Sequence, residues 1–351
     1  MNRRIPFVAN ELQVVDERVG VFGGAGTPIY NTPVLYKENV AAMYFEKQPY
    51  WLVTQADSGN FRSELYNVKL GRGSGADITD AFGIEWEYIA VTGGAIVRPG
   101  EPFVSDANEL KDKIKFPDLD SWDWAGEAEK VKLDPRFSIQ PSLVNGFWFE
   151  RLISFMDFAE AAVALIDPEQ KQAVKEFFEA STDFAFKVVD KICQYWPAID
   201  GINVHDDWGA QKDPFFSNEV AYELFVPYMK ALTDHIHSKG KYATLHSCGH
   251  VEHRVQCFID GGFDQWQPQL MNNTWELYEE FGDKIIIAVV PELYNPETTS
   301  EAEQRQRARD HVDRFCRPGK PSVIGFYGAA ALTPAFRAEV YEYSRRHYYK
   351  Q

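Results

Sequence analysis

Residues 199–250 read IDGINVHDDWGAQKDPFFSNEVAYELFVPYMKALTDHIHSKGKYATLHSCGH. Two short apolar runs, residues 199–205 and 242–246, flank an amphipathic stretch, residues 218–239, that Gly240 closes as an expected C-cap glycine. A strand, a helix and a second strand in this order form parallel strands joined by a right-handed crossover.

The alternation continues on both sides. Upstream, residues 138–144 read as a strand and 149–165 and 167–195 as helices, the second started by Pro168. Downstream, strands are expected at 263–267, 285–290 and 322–326, and helices at 251–260, 274–281, 299–315 and 334–348. Residues 1–135 read as an N-terminal elaboration, with a few helices, a hairpin and an acidic segment at 100–135. The expected fold is α/β: a single-domain (β/α)8 TIM barrel over residues 1–351, with its core at 136–351. An open doubly wound sheet would alternate in the same way. It is disfavoured because GGAG at 23–26 and GRGSG at 71–75 lack the strand and helix that flank a phosphate-binding loop.

The formal charge of −16 argues against a nucleic-acid partner, which needs clustered Lys and Arg, and against docking on an anionic membrane. Aromatic residues make up 15% of the chain, which suits either a pocket for a flat ligand or an aromatic core. Cys193, Cys248, Cys257 and Cys316 form no disulfide framework, so a cytoplasmic protein with reduced thiols is expected. No apolar run follows the basic N-terminus, and no uncharged apolar window reaches membrane-spanning length.

In a (β/α)8 barrel, active-site residues follow the C-terminal ends of strands. The strand ends here deliver Asn145, Phe147, Trp148 and Glu150; Asp206, Asp207 and Trp208; His246, Cys248 and His250; then Gln267, Glu292 and Tyr327. His246 and Cys248, two apart on extended backbone, point to one side, and an imidazole with a thiolate suits Zn²⁺. Gly249 lets the chain turn behind them. Glu150 or Glu292 is the expected third ligand, whereas Cys257 and Cys316 fall away from the strand ends. Asp206 and Asp207 are adjacent carboxylates that orient His246 or act as general acid or base; capping a following helical turn is the structural alternative. His235, His237, His250, His253 and His311 read as surface residues, and Arg345-Arg346-His347 as a basic helix end.

HDDWGAQ (205–211), LFVPYMKALTDHIHSKGKYATLHSCGH (224–250) and IDGGFDQWQPQ (259–269) resemble the uroporphyrinogen decarboxylase superfamily, and more narrowly its corrinoid-dependent methyltransferase branch. TPIYNTPVLYKENV (27–40) and DAFGIEW (80–86) are weaker echoes. The branch's metal motif is His-x-Cys with a further Cys near the last strand. His246 and Cys248 match its first part, but VIGFYGAA (323–330) holds no Cys, so a carboxylate such as Glu150 or Glu292 would replace it. The resemblance implies a zinc-dependent methyltransferase, the first component of an O-demethylase system. It would move a methyl group from a methoxylated aromatic substrate to the cobalt of a separate corrinoid (cobalamin) protein. Trp148, Trp208, Gln267 and Tyr327 would contact the substrate, and Asp206 or Asp207 would protonate the product. A metal-independent decarboxylase is the second reading. It is weakened because no arginine-rich loop follows Arg3-Arg4 and the net charge is negative. A non-catalytic ligand-binding barrel is the third.

Overall fold

The computed structural model describes residues 5–18, 26–65, 69–72, 75–91, 94–98, 100–143 and 146–350. Asn145, Arg3, Arg4 and parts of both glycine-rich runs lie outside the described residues. Along the chain the strands are β1 (Val14–Arg18), β2 (Thr27–Tyr30), β3 (Val53–Thr54), β4 (Ile78–Thr79), β5 (Glu85–Ile89), β6 (Gly94–Val97), β7 (Ser142–Leu143), β8 (Gly201–His205), β9 (Tyr242–His246), β10 (Gln265–Gln267), β11 (Ile286–Ile287) and β12 (Val323–Ile324).

Packing divides the chain into two compact units. The first comprises residues 1–59, 134–139 and 264–351. In it β10 and β11 pair in parallel, as do β12 and β3, and a parallel bridge joins Ala288 to Val323. β1 and β2 pair antiparallel. The core gathers Leu52, Val312, Ile324, Phe336 and Val340 around the helices Glu301–Phe315 and Pro334–Lys350. Arg345 closes it in a buried ion pair with Glu11 at 2.8 Å.

The second unit comprises residues 60–133 and 140–263. β7, β8 and β9 run parallel side by side, and β4, β5 and β6 form an antiparallel sheet. β8 is an apolar run closed on both faces, as strands beneath crossover helices are. The helix Lys171–Tyr195 buries Val174, Phe177, Phe178, Ser181, Phe184, Ala185, Val188 and Ile192, whose three- and four-residue spacing lays one stripe along it. Among the described residues no helix is long and apolar enough to cross a membrane.

Several expectations change. The segment 1–135 is shared between the two units, and β3 within it is a parallel strand paired with β12, so the alternation begins before residue 136. The helix expected at 218–239 is two, Asn218–Leu224 and Val226–Ser238, because Phe225 leaves helical geometry ahead of Pro227, which has no N–H for the helical ladder. The helix expected at 149–165 breaks at Asp157, whose φ of 62° ends Phe149–Met156 and begins Phe158–Ala164. His311 is a core residue of the first unit, its ring centroid 4.8 Å from that of Phe315.

Candidate metal centre

β8 and β9 lie in register, so that Val204 pairs with Leu245 and His205 with His246. Each strand ends on its histidine, and each is followed two residues later by a second donor, Asp207 or Cys248. The His205 and His246 rings stack at 5.0 Å between centroids and 26° between planes. One ligand atom from each of His205, Asp207, His246 and Cys248 lies within 4.8 Å of all the others.

The two loops after the strands are stitched together. Asp206 N–H donates to the His246 carbonyl, Cys248 N–H to Asp207 Oδ1 at 2.6 Å, and Trp208 N–H to Ser247 Oγ at 3.1 Å. Gly249 makes the approach possible: its φ is +95°, and a Cβ there would lie 2.1 Å from the Gly209 carbonyl oxygen.

The donors fit a metal ion. Ligands about 2.0–2.3 Å from a tetrahedral zinc stand roughly 3.3–3.8 Å from one another. His246 Nε2 is 3.2 Å from Cys248 Sγ, and His205 Nε2 is 3.6 Å from Asp207 Oδ1. Two imidazoles, a thiol and a carboxylate are borderline ligands that suit zinc better than magnesium or calcium.

Glu150 was expected to be a ligand, but it stands behind the four donors. Its Oε2 is 2.7 Å from His205 Nδ1 and its Oε1 is 3.4 Å from Arg72. Burial works to raise its pKa, but His205 and Arg72 outweigh burial and hold the carboxyl below its usual range. Burial likewise opposes charge on His205, yet Glu150 and Asp207 hold its imidazole well above the ordinary range. Burial pushes up the Cys248 thiol, and burial with the charge of Glu150 pushes up Asp207. A metal bound by His205, Asp207 and Cys248 would therefore displace protons.

Asp206 has no exposed surface. It accepts from the N–H groups of Phe149 and Glu150, at the start of the Phe149–Met156 helix, and from Trp208 Nε1 at 2.8 Å. Burial, then the charge of Glu150, pushes its pKa up to about 8 against these three donors. This is a capping role reached from the neighbouring strand rather than the catalytic one expected of Asp206. A Cβ on Gly146 (φ +52°) would fall 2.3 Å from Asp206 Oδ1.

Trp148 and Trp208, expected at the substrate, are core residues with no exposed surface. Trp148 donates to Thr182, and Trp208 packs on Phe216, Phe225 and Phe258. Gln267 and Tyr327 belong to the first unit, where Gln267 ends β10 and the Tyr327 hydroxyl accepts from Gln269. Glu292, also in the first unit, is exposed and paired with Arg307 at 3.1 Å. Cys316 lies in that unit's core, its thiol pushed up to about 12 by burial.

By sequence His205 is the last residue of an expected strand. The signal for it was there: His-x-Asp after one strand repeats the spacing of His-x-Cys after the next.

No family model matches the chain, and no curated protein matches its sequence. Among solved structures, its fold is similar to that of a methyltransferase from Methanosarcina mazei, with 14% sequence identity over 90% of this chain and 85% of that chain and a TM-score of 0.51. Lesser likenesses are a xylose isomerase-like TIM barrel protein from Mycobacterium smegmatis in complex with magnesium (12% identity, 64% and 89% of the two chains, TM-score 0.31) and D-psicose 3-epimerase (13%, 69% and 84%, TM-score 0.30). At these identities the first likeness concerns the fold alone, and the other two carry no argument.

Proposed function

We propose that the chain is a zinc-dependent methyltransferase of the corrinoid-dependent branch of the uroporphyrinogen decarboxylase superfamily, built on a closed (β/α)8 barrel and acting in the cytoplasm. Its substrate is a methoxylated aromatic compound, and its methyl acceptor is the cobalt of a separate corrinoid protein, as in the first step of an O-demethylase system. The observation that carries this reading is the set of four donors, His205, Asp207, His246 and Cys248, gathered at the ends of two adjacent parallel strands. The likeness in fold to the Methanosarcina mazei methyltransferase supports it.

His205, His246 and Cys248 would hold the ion, with Asp207 as a fourth ligand or beside an open position. The ion would act as a Lewis acid on the ether oxygen and stabilise the departing phenolate or alkoxide. Asp207 Oδ1 accepts from the Cys248 N–H, which fixes the carboxylate beside the other donors. Asp206, closed in the core, only fixes the backbone around the site.

The test is a transfer assay. The zinc-loaded chain is mixed with a panel of methoxylated benzoates and phenols and a reduced corrinoid protein, and corrinoid absorbance and demethylated product are followed together. Matched methylation and demethylation that Cys248→Ser abolishes supports the reading. Carbon dioxide release without zinc, and no methyl transfer, would replace it with the decarboxylase.

A further inference from the structure

Glu150 lies outside the four-donor cluster, yet both its oxygens are engaged, Oε2 by His205 Nδ1 at 2.7 Å and Oε1 by Arg72 at 3.4 Å. Its position is fixed from two further directions. Its own N–H donates to Asp206 at 3.1 Å, and the next residue, Arg151, forms a buried ion pair with Asp80 at 2.9 Å. Asp80 in turn accepts from Trp86 Nε1 and from the N–H groups of Phe82 and Ile84. The loop that bears Asp80 and the helix that bears Glu150 are thus tied together beside the site.

We infer that Glu150, steadied by Arg72, is a positioning residue that sets the tautomer and ring orientation of His205. This rests on the metal-centre reading above. An imidazole that donates Nδ1–H to a carboxylate has its proton on that nitrogen, which leaves the Nε2 lone pair free to bind a metal. Nε2 of His205 is the nitrogen that faces Asp207, while Nδ1 faces Glu150. The same hydrogen bond stops the ring from turning about its Cβ–Cγ bond. Arg72 holds the second carboxylate oxygen, so Glu150 does not swing into the cluster and become a ligand itself. Carboxylate, imidazole and metal-facing nitrogen then form one line through the site, with each group held by the one behind it.

The test is zinc affinity of the full-length chain, measured by chelator competition with zinc as the only probe, together with the absorption spectrum of the cobalt(II)-loaded protein. Glu150→Gln should weaken zinc binding roughly 10- to 100-fold and shift the cobalt spectrum, while the circular dichroism of the metal-free chain stays as in the wild type. Arg72→Ala, at a half-exposed position, guards against a folding defect in the first variant and should weaken zinc binding by a smaller factor with the same spectral trend. Wild-type affinity and spectrum in both variants would overturn the positioning role while leaving the metal centre standing. A wild-type chain that binds neither metal would overturn both.

Discussion

His205 and His246 are register partners: each ends its strand, their Cα positions pair across β8 and β9, and their rings stack 5.0 Å apart. Adjacent parallel strands cut at the same level therefore present two imidazoles to one point. His205→Ala and His246→Ala should each weaken zinc binding by more than the roughly 10- to 100-fold expected for an outer residue such as Glu150. Chelator competition gives the ranking. A His205 variant that binds zinc more tightly than Glu150→Gln would remove His205 from the ligand set.

Gly249 should not tolerate a side chain. Ala there meets the Gly209 carbonyl at 2.1 Å with φ at +95°, so the loops after β8 and β9 must part. Gly249→Ala should cost about 2 kcal/mol or more in urea unfolding and lower the zinc content of the folded protein. Unchanged stability and zinc content would mean that the two loops need not touch.

Asp206 separates a structural strut from a catalytic acid. Asp206→Ala leaves three N–H donors without an acceptor, two of them at the start of the Phe149–Met156 helix. A loss of about 2–4 kcal/mol is expected, measured by chemical denaturation. Wild-type stability with abolished methyl transfer would restore the catalytic role.

His311 gives a pH dependence of its own. Neither ring nitrogen has a hydrogen-bond partner among the described residues, and burial lowers its pKa from 6.5 to about 3. The unfolded chain thus binds the extra proton between pH 6.5 and 3, and stability falls as the pH drops through that window. At pH 5 this amounts to about 2 kcal/mol. His311→Phe should flatten that part of the stability profile, and an unchanged slope would mean that the ring is not held neutral.

The parts of this fold written in local periodicity were legible. The helix Thr274–Phe281 falls where the apolar spacing puts it, and Tyr242–His246 is the strand expected before His-x-Cys. β3 was not legible: its two residues sit between a π-helical turn and a 3₁₀ turn, too short for any period to register, and its strand character comes from pairing with β12. In the site, His246 and Cys248 declare themselves by spacing; His205 repeats that spacing with Asp207, and the register of two strands 41 residues apart brings the pairs together. Glu150 was placed at the correct end of its strand, but which atom it would meet depended on the Asp206 cap. Trp148 and Trp208 follow strand ends as substrate-facing residues do, yet their indole N–H groups find partners inside the core, and the rings follow. His311, on a helix rich in charge, gave no sign that its own position faces Phe315.

Metal analysis decides whether His205, Asp207, His246 and Cys248 hold one metal ion. Wild-type protein and its His205→Ala and Cys248→Ser variants would be purified without added metal, incubated with zinc, desalted, and measured by mass spectrometry against protein concentration. About one zinc per chain is expected in the wild type and a small fraction of that in both variants. A wild-type chain that retains no zinc, or variants that retain as much as the wild type, would contradict it.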